Sequence, residues 1–282
     1  MLTRPLPDVA AWTQYLRNRP IPVLGATAEE IGLLAQAEEA RGCVDAAQIA
    51  RGIEDDPLMT LRVMVHTGQH RHARQITEAE TVTASVVMMG IAAFFRNFSA
   101  LETVEQQLVD WPDAIEGLEQ VLTRAHRAAR FAQGFAVHRM DGDAPVLREA
   151  ALLHDFAEML LWCHAPSLAL EVRGRLADDP RLRSRAAQRE VLNIELGELE
   201  QQLMRAWRLP QLLIQLTDDH AAGPGQALIY PQVRSVRLAV QVARHSEHGW
   251  DNAALPDDIE EISELLNLSP PATQRLLMDI DG

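Results

Sequence analysis

Apolar residues recur along this chain at spacings of three and four, and no stretch alternates with period two. That pattern predicts helices throughout and no sheet. The first 25 residues are proline-rich, with a short amphipathic piece over 9–16. Residues 26–40 read as a helix with Ile31, Leu34 and Ala35 on one face and Gly42 as its stop. A second helix covers 44–54. Asp56-Pro57 opens a third, because an acidic cap followed by proline at the first helical position is a start signal. Residues 78–97 read as one long apolar helix, buried on most sides. Further helices are expected over 101–109, 115–140, 150–162, 168–176, 181–207 (in one or two pieces) and 231–245. Another begins at Leu209-Pro210, and two short ones close the chain. The expectation is therefore an all-α protein: an N-terminal helical bundle over 18–112, a second bundle over 113–245, an extension at 1–17 and a helical tail at 246–282.

Composition narrows what such a bundle can do. Lys and Arg number 26 against 40 Asp and Glu, a net charge of −14, which repels nucleic acid and argues against a DNA partner. The longest apolar run, VVMMGIAAFF at 86–95, is half the ~20 residues of a membrane span. The start, MLTRPLPDVAAW, has no apolar core of the kind a signal peptide carries. Cys43 and Cys163 have neither metal-ligand spacing nor a disulfide framework around them. Together these point to a cytoplasmic protein.

Two stretches carry candidate chemistry. Residues 150–162, AALLHDFAEMLLW, set His154 and Asp155 side by side within an apolar run. An imidazole beside a carboxylate suits Mn, Fe, Mg or Zn, and burying the pair is costly unless both groups are satisfied. The stretch is a metal half-site, the relic of one, or a hydrogen-bonded structural pair. Farther upstream, His66, His70 and His72 fall within seven residues. His66 and His70 have the four-residue spacing a helical metal site uses. With no carboxylate or thiol beside them, they read as a solvated basic loop after the third helix.

The order of several motifs resembles a known family. Asp56-Pro57-Leu58 with Leu61 comes first, then 77–90 ending in Met-Gly, then His126, Leu153-His154-Asp155, Trp207-Arg208-Leu209-Pro210 and His220. This order is similar to the HDOD domain, a bacterial signalling branch of the HD metal-dependent phosphohydrolase superfamily, over roughly 18–245. The resemblance implies an HD-domain-like helical bundle with an N-terminal helical subdomain. It also implies a role in signal transduction tied to cyclic dinucleotides, motility or stress. His126, His154 and Asp155 match the superfamily's first metal ligands, and His220 stands where a paired histidine would follow the Trp-x-Leu-Pro segment.

Departures from the superfamily pattern point away from catalysis. Val240 stands where the late metal-binding aspartate is expected, in VRLAVQVAR. Glu158 follows the HD pair where catalytic relatives carry a lysine, placing an anion where phosphate would need a cation. The segment at 193–197 lacks the histidine of fuller sites, and Ala221 follows His220. Phosphodiester hydrolysis needs charge stabilisation from a second metal or a cationic clamp. The expectation is a degenerate site made of His126, His154, Asp155 and His220, calling for no cofactor or at most a weakly held divalent metal. The expected role is a non-catalytic signalling domain that contacts a partner protein. The alternatives are a module that keeps the pocket for a cyclic dinucleotide or other nucleotide, or a weak phosphohydrolase.

Overall fold

A computed structural model describes residues 1–70, 78–179, 181–218 and 231–282. Helices dominate, and among the described residues the only strand-like feature is an isolated bridge between Val23 and Thr103. In chain order the helices are α1 (Val9–Leu16), α2 (Gly25–Arg41), α3 (Ala46–Ile53), α4 (Pro57–Gln69), α5 (Val82–Met89), α6 (Ile91–Asn97), α7 (Val104–Gln107) and α8 (Pro112–His138). They continue with α9 (Ala144–Leu153), α10 (Phe156–His164), α11 (Pro166–Asp178), α12 (Ser184–Leu192) and α13 (Leu196–Trp207). The last four are α14 (Gln211–Leu216), α15 (Pro231–His245), α16 (Leu255–Leu266) and α17 (Pro270–Asp281).

These helices form two compact units, each built from two separate pieces of chain. The first comprises Met1–Val121 and Asp155–Pro210, and the second comprises Leu122–His154 and Gln211–Gly282. This grouping cuts across the sequential bundles read from the sequence, and it takes residues 246–282 into the second unit.

In the first unit, Asp56-Pro57 acts as the start signal that the sequence implies. Asp45 caps α3 in a reciprocal box with Gln48, satisfying two otherwise orphaned N–H groups. Asp56 caps α4 by accepting from the N–H groups of Leu58 (2.9 Å) and Met59 (3.0 Å), and it also accepts from Leu24 at 2.8 Å. One carboxylate thereby ties the start of α4 to the entry of α2. The apolar faces of these helices close over a core that includes Ile31, Ile49, Ile53, Met59, Val63, Val86 and Phe94. Trp12 of α1 is fully buried, and its indole N–H donates to the carbonyl of Leu192 at 3.0 Å. A buried side chain of this size stabilises by about 1.5–3 kcal/mol. Helix α4 lies against the end of α13, and Gly68 makes the approach possible. A Cβ there would fall 2.6 Å from the Arg208 carbonyl oxygen and 2.8 Å from that of Trp207.

In the second unit, Arg127 of α8 joins three segments. Its Nε and Nη2 each lie 2.7 Å from an oxygen of Asp281 on α17, Nη2 also donates to Ser246 Oγ (2.8 Å), and Nη1 donates to the Ala243 carbonyl (3.1 Å). The Arg127 guanidinium holds the Asp281 carboxyl below the usual carboxylate range.

Three sequence expectations change. The single helix over 78–97 is two, because Gly90 adopts φ 82° and ψ 149°, which no helix continues. Its surface is also less buried than expected, with Val87 64% exposed. The helix over 150–162 is likewise two, interrupted at His154-Asp155. His66 and His70 do not lie in a loop: α4 runs on to Gln69, so they occupy its last turn and its C-cap.

Candidate functional site

The HD pair sits where α9 stops and α10 starts. Helix α9 begins at Ala144-Pro145 and buries Val146, Leu147 and residues 150–153. His154 keeps helical torsions as its C-cap, with its N–H on the Ala151 carbonyl at 3.4 Å. Asp155 departs to φ −106° and ψ 22°, and its carbonyl then accepts from the N–H groups of Glu158 and Met159 as α10 begins. His154 is buried and Asp155 half-buried. His126 is half-buried on α8, in the same compact unit as His154, whereas Asp155 is counted with the other unit. None of the three is without an interaction partner. His220 lies outside the described residues.

Helix α9, whose C-cap is His154, packs against α14 and α15. The residues of α15 facing inward are Val233, Ser235, Val236, Leu238, Ala239, Val240, Val242 and Ala243. Val240 is thus part of an apolar packing face, where a carboxylate would be costly unless paired. Glu158 lies in the first turn of α10, where a negative side chain is favoured by the helix dipole and a positive one is not. Among the described residues, no group of three or more His, Cys, Asp or Glu side chains is arranged to hold a metal ion.

Several polar clusters went unremarked in the sequence. His164, at the end of α10, is 5% exposed. Its Nδ1 faces Gln107 Nε2 at 3.3 Å, and that same amide donates to the Cys163 carbonyl at 2.5 Å. An amide nitrogen only donates, so Nδ1 is the acceptor and the ring proton sits on Nε2. Burial is the chief cause that pushes the His164 pKa down to about 4, opposed by the nearby Pro20 carbonyl and reinforced by the charges of Arg19 and the N-terminus. Burial also pushes the Cys163 thiol up, which keeps it protonated and inert. Burial raises the Asp56 pKa too, against the pull of its N–H donors. On the second unit, buried Asp258 accepts from His245 Nδ1 (2.6 Å) and Gln241 Nε2 (2.5 Å).

On α4, the rings of His66 and His70 stack with centroids 4.1 Å apart and planes 25° apart, and Phe98 meets His66 edge-on at 5.5 Å. Burial first, and His70 second, lower the His66 pKa. A polar groove of about 690 Å³ between α1 and α13 is lined by Thr13, Gln14, Arg17, Asn18, Glu198 and Gln202, none of which belongs to the HD pattern. No described helix is long and apolar enough to cross a membrane.

A family model described as the HDOD domain matches residues 21–222. No curated protein matches the chain. Among solved structures, the MmoQ response regulator from Methylococcus capsulatus str. Bath superposes with a TM-score of 0.67 at 20% identity, covering 92% of this chain and 98% of its own. A virulence factor from Campylobacter jejuni gives a TM-score of 0.66 at 16% identity, covering 95% and 93%. An HDOD domain protein from Geobacter sulfurreducens gives 0.50 at 16% identity, covering 97% of each chain. At these identities the likeness is one of fold.

Proposed function

Because the chain belongs to the HDOD domain family, we propose that it is a signal-transduction domain that works by contacting another protein, with a degenerate HD site that no longer hydrolyses phosphate esters. The observation that carries this reading is the buried apolar face of α15, which includes Val240, the residue at the position where the resemblance calls for a metal-binding aspartate. Glu158 supports it as well, because an anion three residues after Asp155 in the chain opposes a phosphate group. In this reading His154 closes α9 and Asp155 opens α10, a polar break in an apolar run, and a divalent metal, if held, is held weakly. His220 belongs to the same remnant by its place in the sequence. The structures of a response regulator and of another HDOD protein share the fold, which agrees with a signalling role.

The test uses the full chain purified without chelator. Mg²⁺, Mn²⁺, Fe²⁺ or Zn²⁺ is added in turn, with a cyclic dinucleotide or a nitrophenyl phosphate diester as substrate. The expected result is no turnover above the buffer blank, with His154→Ala and Asp155→Ala lowering only the melting temperature. Turnover that both substitutions abolish overturns the proposal in favour of an enzyme. A saturable melting-temperature rise with a cyclic dinucleotide and no hydrolysis replaces it with a ligand-binding module.

A further inference from the structure

Helix α4 carries a feature that the HD pattern does not use. Residues four apart on a helix stand one above the other on the same face, and the His66 and His70 rings are in contact there. The His66 carbonyl lies 2.8 Å from His70 Nδ1. A carbonyl only accepts, so Nδ1 of His70 carries the proton, and the neutral ring keeps its Nε2 lone pair for another partner. His70 is exposed and His66 half-buried, so solvent reaches the pair. The pair also sits in the last turn and at the C-cap of α4, where unsatisfied carbonyls give the helix end its partial negative charge. That end favours a cation.

We propose that His66 and His70 form a two-imidazole chelate for a borderline divalent transition metal of the Cu²⁺, Ni²⁺ or Zn²⁺ class, with water completing the coordination shell. Neutral imidazole nitrogens select these ions over the oxygen-seeking Mg²⁺ and Ca²⁺. Capture requires the rings to turn their edges towards one ion in place of stacking. That is a side-chain rotation on a fixed helix backbone, and Phe98 limits how far His66 moves. The bound ion crosslinks the last turn of α4 and stabilises the folded chain as any ligand of the native state does.

The test titrates the chelator-treated full chain with Ni²⁺ and with Cu²⁺ by calorimetry, checking each variant's fold by circular dichroism. The wild type is expected to bind one ion saturably, and its Cu²⁺ form to show hyperfine coupling to two imidazole nitrogens by electron paramagnetic resonance. His70→Ala, at an exposed position, is expected to weaken binding at least tenfold, and His66→Gln to do the same. His154→Ala is expected to leave it unchanged, which separates this site from the HD remnant. Unchanged affinity in His70→Ala overturns the proposal, as does loss of binding in His154→Ala alone. Equal affinity for Mg²⁺ overturns it as well.

Discussion

Buried His164 makes the first unit acid-sensitive as pH falls below the ordinary histidine range. A histidine whose folded pKa lies at about 4, against the ordinary 6.5, stays neutral in the native state while the unfolded chain takes up a proton. The sign follows directly. Above pH 6.5 the group contributes nothing to the pH dependence. As pH falls from 6.5 towards 4 the unfolded state gains protons and stability drops. Below 4 both states are protonated and the loss levels off at about 3.4 kcal/mol. Between pH 7 and pH 5 the loss is about 1.8 kcal/mol by the same linkage. With the side chain 5% exposed, solvent screening takes little from this figure. Other groups also titrate, Asp56 among them with the opposite sign, since a raised carboxyl favours the native state as pH falls. The quantity to measure is therefore the difference between the wild type and His164→Gln, which cannot titrate. Urea unfolding at pH 7 and pH 5 is expected to show the wild type losing about 1.8 kcal/mol more than the variant. The His164 ring proton shift in NMR is expected to stay neutral down to about pH 5. Equal losses in the two proteins, or a ring titrating near 6.5, would refute the argument.

Two further substitutions test the packing of each unit. Gly68→Ala should gain about 1 kcal/mol from helix propensity alone. The Arg208 and Trp207 carbonyls instead make it an overpacking change, expected to cost about 1–3 kcal/mol and to lower the melting temperature. A stabilised variant would mean that α4 and α13 are not this close. Arg127→Ala removes the bidentate partner of Asp281, leaving Arg130 at 3.6 Å, and is expected to destabilise the second unit by about 1–3 kcal/mol. Trp250 is the one tryptophan in that unit and reports its urea unfolding by fluorescence. A change under about 0.5 kcal/mol, the size of an ordinary surface substitution, would show the clamp to be incidental.

Local signals were legible in the sequence wherever a single residue decides the backbone. Asp56-Pro57 fixed the start of α4, and Gly42, in the left-handed region at φ 60°, fixed the end of α2. Gly90 was visible too, but inside an apolar run it reads as a tolerated helix residue until its torsions are known. The break at His154-Asp155 carries neither proline nor glycine, and the flanking residues are good helix formers, so nothing local announces it. The end of α4 was missed for a related reason: a polar run after an apolar one looks like a loop, although α4 runs on to Gln69. The HD motif was recognisable from residue order, whereas the state of its surroundings was not. Val240 marked a departure as a letter, and only the packing of α15 made it an apolar wall. His164 gave no signal, because its environment comes from Gln107, 57 residues earlier, and Arg127 gave none because Asp281 lies 154 residues later.

The division of each unit into two stretches of chain bears on how the protein is made. The first unit needs Asp155–Pro210 as well as Met1–Val121, so it is incomplete until residue 210 has left the ribosome. Trp12 waits for Leu192, its hydrogen-bond acceptor 180 residues downstream. Until then α1 has an apolar face and no α13 to cover it. Contacts this distant in sequence slow folding, because chain entropy is lost before packing compensates. The second unit is likewise incomplete until α17 emerges and Asp281 meets Arg127. Vectorial synthesis therefore gives the N-terminal half no early refuge, and a chain truncated anywhere between residues 122 and 210 leaves both units with open cores, exposed to chaperones and proteases.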